Sequence, residues 1–370
     1  MIDCAWYVVE DRGGMEKRDY SLIGPSAQRA AEQGLVAADW YHPDVPRKRM
    51  KELMRRSDGP ALRDTAVWLT LLIGFGVAGG LTWGTWLTVP CFIAYGVLYG
   101  SATDSRWHET GHGTAFKTSW LNDVLYQVAS FMNLKEPTFW RWSHARHHTD
   151  TIIVGRDREI AAMRPPDVAK LVINVVGLRD AWDTAISVAR HAAGRLTEEE
   201  RSFIPEDEHF RVRREARAWV TIYVAVVALA LVLHSLLPLM YVGLPSLYGR
   251  WLATLFGISQ HAGLAENVLD HRLNARTIHM NPVFRFLYWN MNYHVEHHMF
   301  PMVPYHALPR LHAEVADNMP TPYPSLLAAY REIVPTLLRQ MREPDHYVRR
   351  ALPPAAQPFR PEMHDAVFEA

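Results

Sequence analysis

The chain has 370 residues, with 39 Lys and Arg against 39 Asp and Glu, so its formal net charge at pH 7 is zero. This balance argues against a nucleic-acid-binding protein, which would carry a basic surface. The two cysteines, Cys4 and Cys91, exclude a fold framed by several disulfides.

Two long segments lack Asp, Glu, Lys and Arg: residues 65–103 and, apart from Arg250, residues 218–265. Because a helix needs about 20 apolar residues to cross a bilayer, each segment is long enough for two crossings. We therefore predict two transmembrane hairpins, at 65–103 and 218–262. Arg250 is expected to extend towards the far membrane interface near the second turn, with a buried functional charge as the alternative.

Basic residues precede both hairpins, from Arg47 to Arg56 and from Arg211 to Arg214. The positive-inside rule therefore places the start of each hairpin, the polar segments and both termini on the cytoplasmic side. The amphipathic stretch from Trp120 to Met132 is predicted to lie on the membrane surface.

The predicted fold is an all-α integral membrane protein, with four transmembrane helices in two hairpins and a cytoplasmic helical cap. The predicted organisation is an N-terminal segment (1–64), the first hairpin (65–103), a cap segment (104–217), the second hairpin (218–262), a second cap segment (263–343) and a tail (344–370).

Nineteen histidines are many for this length, and nine of them fall into four short clusters. Three clusters are called boxes below: the first box is 108–112, the second box is 144–148 and the third box is 294–298. The fourth cluster is an Asn-x-x-x-His at 267–271. Within each cluster, residues three or four apart share one face of a helix, so their side chains can bind the same metal or neighbouring metals.

Ten candidate ligands exceed the roughly four to six that one metal ion takes, so the sequence predicts a two-metal site in the cap. The candidate ligands are His108, His112, His144, His147, His148, Asn267, His271, His294, His297 and His298.

Neutral imidazoles bring no negative charge to offset two cations. Carboxylates are therefore expected to orient the ligand rings through their second nitrogens. The candidates are Glu109, Asp157, Asp270 and Glu296.

The remaining histidines lack this spacing. His261 and His279 lie near the clusters, and their roles stay open. The others are expected at the surface or in ordinary hydrogen bonds: His42, His191, His209, His234, His306, His312, His346 and His364.

Two other classes of metal protein are compatible with parts of this pattern. The first box also matches H-E-x-x-H, in which His108 and His112 would bind zinc and Glu109 would be the general base of a metalloprotease. That interpretation leaves the two H-x-x-H-H boxes unexplained. A metal carrier would need ligands within the spanning helices, whereas the boxes lie outside them.

The three boxes resemble those of the membrane fatty acid desaturase and hydroxylase superfamily, and the resemblance covers roughly residues 65 to 315. Residues Asn292 to Pro304, which contain the third box, are very similar to the third-box signature of acyl-lipid desaturases. Asn267 and His271 match the Asn-x-x-x-His of stearoyl-CoA desaturases, and the same segment resembles a box of alkane hydroxylases.

The resemblance implies two Fe ions as the metals and O2 as co-substrate. The implied reaction is desaturation of a fatty acyl chain in an acyl lipid or acyl thioester, with hydroxylation of an alkyl or lipid substrate as the alternative. The sequence has neither a cytochrome b5 haem motif nor a four-cysteine iron site. An external electron donor of the ferredoxin, rubredoxin or cytochrome b5 type is therefore expected.

The resemblance also implies an integral membrane location, in the inner membrane if the cell is bacterial. The insertion at 156–215 carries no recognisable motif.

Overall fold

The computed structural model describes residues 18–354 and 356–363. Within these residues the chain is helical, and its β contacts are two isolated bridges, Thr277–Tyr293 and Ile278–Tyr323. The prediction of an all-α fold is therefore confirmed. Residues 1–17, which include Cys4, and residues 364–370, which include His364, lie outside the described residues.

The first hairpin starts with a long apolar helix. Two short helices, α1 (Pro25–Glu32) and α2 (Arg47–Leu53), precede α3 (Asp58–Leu81), which has 24 residues. At the turn, Gly84 has a φ of 85°, a conformation that glycine adopts without a steric penalty.

The return leg of this hairpin is one continuous helical rod. It consists of α4 (Thr88–Gly96), a π-helical segment (Val97–Ser101) and α5 (Ala102–Gly111), with helical backbone angles at each junction. The rod passes the predicted end of the hairpin at residue 103 and carries the first box. The apolar segment and the first box thus belong to a single element.

The next part of the cap contains α6 (Ser119–Met132) and α7 (Pro137–Thr149). Pro137 suits the first position of α7, where a backbone N–H has no helical partner. Helix α7 carries the second box. The insertion then forms α8 (Val168–Asn174), α9 (Leu178–Ala192) and α10 (Glu198–Arg201).

The insertion is fastened to α7 through His191, which is fully buried. Its Nδ1 lies 2.9 Å from Oε2 of Glu136, and its Nε2 lies 3.3 Å from Oε2 of Glu200. Burial favours the neutral ring, but hydrogen bonds to these two carboxylates outweigh it and raise the pKa of His191 to about 9. The resulting cation joins α9 and α10 to the start of α7.

The second hairpin has one long helix and an interrupted return leg. Its elements are α11 (His209–Val232), α12 (Leu237–Tyr241), α13 (Pro245–Tyr248) and α14 (Trp251–His261). Among the described residues, two helical stretches are long and apolar enough to cross a membrane, Arg47–Leu81 and Glu206–Val232. These contain α3 and α11, whereas four complete crossings stay a prediction.

Arg250 does not extend to the far end of the hairpin as predicted. It lies in the middle of the return leg, where its NH2 group donates to Oδ2 of Asp180 at 2.8 Å and its NH1 group donates to the carbonyl of Asn133 at 2.8 Å. The guanidinium therefore binds the cap, because the interruption between α13 and α14 brings it beside α9 and the end of α6.

The two return legs touch through glycines. Gly249 lies against Gly96, so a Cβ atom at position 249 would overlap the backbone of Gly96. Ser101 Oγ donates to the carbonyl of Gly249 at 2.5 Å. Small residues allow such close approach of backbones, as is common between membrane helices.

The last part of the chain completes the cap with short helices. The third box lies on α17, which packs against α15 and α18. The elements are α15 (His271–Asn274), α16 (Pro282–Leu287), α17 (His294–Met299), α18 (Leu308–Val315) and α19 (Leu326–Gln340).

We expect Gly249→Ala to destabilise the protein by about 1–3 kcal/mol, the usual cost of overpacking, because the backbones of the two return legs must separate. The measurement is the thermal unfolding midpoint of the purified protein in detergent. Gly257→Ala is the matched control, since a Cβ atom there meets nothing within 4 Å. An unchanged midpoint for Gly249→Ala would contradict the close contact.

Candidate metal centre

The three boxes present their histidines from the ends of three helices. The first box lies at the end of α5, with His112 as its C-cap, and the second and third boxes lie within α7 and α17. A fourth helix, α14, ends at His261. The described residues contain two groups of four histidines whose ring nitrogens lie within 4.8 Å of one another.

The first group contains His108, His112, His148 and His297. It therefore combines the whole first box with one ring each from the second and third boxes. The Nε2 atoms of His108 and His297 are 2.7 Å apart. His144 lies beside this group, with its Nε2 3.1 Å from Nε2 of His148 and its ring centroid 4.2 Å from that of His108.

The second group contains His147, His261, His294 and His298. Nε2 of His294 lies 2.9 Å from Nε2 of His261 and 3.0 Å from Nε2 of His298. The two groups are neighbours, because the rings of His148 and His298 stack with centroids 4.4 Å apart. Two adjacent sets of nitrogen donors result.

These distances fit the coordination sphere of a metal ion. Ligand nitrogens about 2.0–2.1 Å from an ion and at right angles to each other lie about 3 Å apart. The buried Nε2 of His112 has no hydrogen-bond partner within the protein. A buried nitrogen without a hydrogen-bond partner destabilises the fold unless another group binds it. A metal ion in the first group would bind this nitrogen.

The protonation of the rings also suits a metal. Burial lowers the pKa of the ring far below its ordinary value, and neighbouring imidazoles lower it further. The rings are therefore neutral at neutral pH, which is the form that binds metal. This holds for His108, His112, His148, His294, His297 and His298.

Two carboxylates contact the other nitrogens of second-box rings. Nδ1 of His147 lies 2.8 Å from Oδ2 of Asp157, and Nδ1 of His144 lies 3.1 Å from Oε2 of Glu159. Such contacts fix a ring's orientation and leave Nε2 free to bind a metal. Asp157 is one of the carboxylates that the sequence proposes for this role. Glu159 was missed, although it stands only two residues further along.

The other three predicted carboxylates have different partners. Glu109 accepts hydrogen bonds from Thr114 Oγ1 at 2.8 Å and from the backbone N–H of Tyr305 at 2.9 Å. The carboxylates of Asp270 and Glu296 face other side chains. The reason is local: Asp270 pairs with Arg272 and caps α15, and Glu296 pairs with His312 and Thr277.

The position of Glu109 bears on the metalloprotease interpretation. A general base in that class must face the metal-bound water. Oε1 of Glu109 is occupied by Thr114 and Tyr305, and its buried Oε2 has no hydrogen-bond partner within the protein. Burial raises the pKa of Glu109 to about 7, although these hydrogen bonds favour the carboxylate. The geometry gives Glu109 a structural role between α5 and the segment after the third box.

The structure separates Asn267 and His271 from the two groups of four. Oδ1 of Asn267 accepts a hydrogen bond from the backbone N–H of Val154 at 2.8 Å. The ring of His271 stacks on Trp40 and lies 5.1 Å from the ring of His298. The second group contains His261, whose role the sequence left open, and His271 is in neither group.

His261 is held by a backbone contact. Its Nδ1 lies 2.7 Å from the carbonyl oxygen of Asn274, which orients Nε2 towards His294. Spacing could not reveal this residue, because it has no histidine three or four positions away. The available signal was its place at the end of the second apolar hairpin, on the side where the boxes meet.

A comparison with protein families identifies the family of the chain. The fatty acid desaturase family model matches residues 81–329, about two thirds of the chain, and this range includes both groups of histidines. No curated protein matches the chain. The chain belongs to the fatty acid desaturase family, whose members are membrane oxidoreductases that act on fatty acyl chains.

Proposed function

We propose that this protein catalyses O2-dependent desaturation of a fatty acyl chain, carried by a lipid or a thioester, at a di-iron centre. The observation that carries the proposal is the pair of adjacent groups of four histidines, which are buried or half-buried, in a chain of the desaturase family. Each group supplies four nitrogen donors, a set that suits a transition metal ion.

The proposed ligands of one iron are His108, His112, His148 and His297, with His144 adjacent. Those of the other iron are His147, His261, His294 and His298. When bound, the two irons supply the O2 activation that an inert C–H bond requires. Asp157 and Glu159 hold second-box rings in place, and the buried surroundings keep water from the reacting atoms.

The electron balance requires an external donor. O2 accepts four electrons on becoming two water molecules. Two of these leave the acyl chain with two hydrogens as the double bond forms, and a separate protein must provide the other two. We propose a one-electron carrier of the ferredoxin, rubredoxin or cytochrome b5 type.

Trp40 is the proposed point of electron entry, because it links the protein surface to both histidine groups. Its half-buried ring is parallel to that of His271, with centroids 4.2 Å apart, and His271 neighbours His298 of the second group. Its Nε1 donates to the carbonyl of Thr149 at 3.0 Å, and Thr149 directly follows His148 of the first group.

The orientation in the membrane follows from charge. Helix α3 comes after the basic residues of α2, and α11 contains Arg211, Arg213 and Arg214 in its first turns. Both helices thus start on the same, basic side, where the cap and the histidines lie. We propose that this side is cytoplasmic, in the inner membrane if the cell is bacterial.

The reaction can be tested by comparing the lipids of cells that express the wild-type chain with those of cells that express His297→Ala. Desaturation predicts wild-type-dependent acyl chains that have lost two hydrogens, as measured by mass spectrometry. Acyl chains that instead gain one oxygen atom would show that the reaction is hydroxylation. Identical lipids, with the protein iron-loaded and supplied with O2 and reductant, would contradict an acyl substrate.

The ligand set predicts that His261→Ala lowers bound iron below two ions per chain, because the second group loses one of its four nitrogen donors and binds its ion less tightly. Iron per chain is measured by elemental analysis of the purified protein. His279→Ala, which changes an exposed histidine outside both groups, is the control. His271→Ala is expected to keep both ions. Full iron content in His261→Ala would refute its role, and one zinc without iron would favour the metalloprotease interpretation.

Electron entry at Trp40 predicts that Trp40→Leu slows reduction of the iron centre by a reduced ferredoxin severalfold, with iron content unchanged. Trp40→Phe, which keeps a stacked ring, should be slowed less. Rapid mixing follows oxidation of the ferredoxin, and a small dye reductant serves as the comparison. The control is Trp86→Leu, at an exposed tryptophan in the turn of the first hairpin. Equal rates for Trp40→Leu and the wild type would refute the route.

A further inference from the structure

The insertion exposes a row of large apolar side chains. On α9, Leu178, Trp182 and Ile186 are spaced four residues apart and therefore lie on one face of the helix. Trp182 remains 65% exposed. The same surface continues onto α8 and the segment that joins the two helices. We call the insertion stripe the set Val172, Ile173, Val176, Leu178, Trp182 and Ile186, all of which are exposed.

The opposite face of α9 packs on the protein. Val188 is buried against Ala216 and Trp219 of α11. Thr184 Oγ1 donates to the carbonyl of Leu134 at 3.1 Å, which ties α9 to the end of α6. The insertion stripe therefore faces away from the protein, although its residues are of the kind that a water-exposed surface rarely groups together.

Contacts with the second hairpin hold the segment that carries the stripe beside its return leg. Asp180 binds Arg250, and the carbonyl of Asn174 accepts a hydrogen bond from Thr254 Oγ1 at 3.3 Å. The α8–α9 junction thus lies against the interrupted return leg and beside α11. Helix α11 itself exposes apolar side chains, Val224 and Val227 among them. Because α9 packs on α11, the stripe lies beside the exposed apolar surface of a helix that is long and apolar enough to cross a membrane.

Helix α6 carries a second row with the same spacing. Trp120, Val124 and Val128 are all exposed and stand four residues apart. This segment is the one that the sequence predicts to lie on the membrane surface. Tryptophan is enriched at the boundary between lipid headgroups and acyl chains, so one exposed Trp in each row fits that boundary.

We propose that the insertion stripe inserts into the cytoplasmic leaflet of the lipid bilayer, and that α8 and α9 form an in-plane membrane anchor beside α6. Amphipathic helices bind membranes in this way, with the apolar face in the headgroup and acyl boundary. The partner is the lipid bilayer, because the stripe lies beside the exposed apolar surface of α11. The proposal needs α11 to cross the membrane and is independent of the reaction.

The test measures the depth of a nitroxide label in nanodiscs of phosphatidylcholine and phosphatidylglycerol. Cys4→Ser and Cys91→Ala provide a cysteine-free background, into which Trp182→Cys or Ile186→Cys is introduced and labelled. Val227→Cys on α11 is the lipid-exposed reference. Arg201→Cys is the matched control, since Arg201 is an exposed residue of the insertion outside the stripe. Collision rates with O2 and with a nickel chelate are measured by power saturation.

Labels at 182 and 186 are expected to give an O2-to-nickel ratio severalfold above that at 201 and close to that at 227. Leu178→Cys gives the same readout if Trp182→Cys is poorly folded. A ratio equal to that at 201 would overturn the proposal. Spectral broadening that disappears on dilution with unlabelled protein would also overturn it, because a second copy of the chain would then cover the stripe. The measurement needs no turnover, so its outcome is separate from that of the proposed reaction.

Discussion

The structure depends on the convergence of eight imidazole nitrogens at two adjacent points. Neutral rings that face one another at 2.7–3.0 Å present lone pairs and N–H groups that cannot all pair among themselves. Cations at these points would satisfy the nitrogens. The four helix ends that carry the rings must then meet within a few ångströms, and much of the fold serves this requirement.

The surrounding contacts hold the four helix ends in place. Glu109 joins α5 to the backbone at Tyr305, just after the third box. Oγ1 of Thr151, which follows the second box, contacts the carbonyl of His147 and lies 3.2 Å from Nδ1 of His298. It thus connects the second and third boxes. His191 fastens the insertion to the start of α7. Ionisable groups beside the boxes thus serve packing as often as they orient ligand rings, and residue type alone does not separate the two roles.

The sequence predicted those features that depend on local spacing. The i, i+3 and i, i+4 patterns identified the three boxes, and the number of ligands indicated two metals. The sequence did not identify His261 or Glu159, because neither is close in sequence to its partner at helical spacing. His261 meets His294, and Glu159 meets His144, only in the folded chain. Asp270 was misjudged because Arg272, two residues away, competes for its carboxylate. Arg250 was placed at the far interface because hydropathy does not reveal the interruption between α13 and α14.

The continuous rod of α4, the π-helical segment and α5 connects the turn of the first apolar hairpin to the first group of histidines. A membrane helix tilts when the thickness of the bilayer changes, at a modest energetic cost. In this protein the rod carries His108 and ends at His112, its C-cap, without an intervening loop. The π-helical segment and the glycine contact between Gly96 and Gly249 stand where such a tilt would be absorbed or transmitted. With the rod across the bilayer, as the sequence predicts, a change in bilayer thickness would act on the geometry of the first group of histidines.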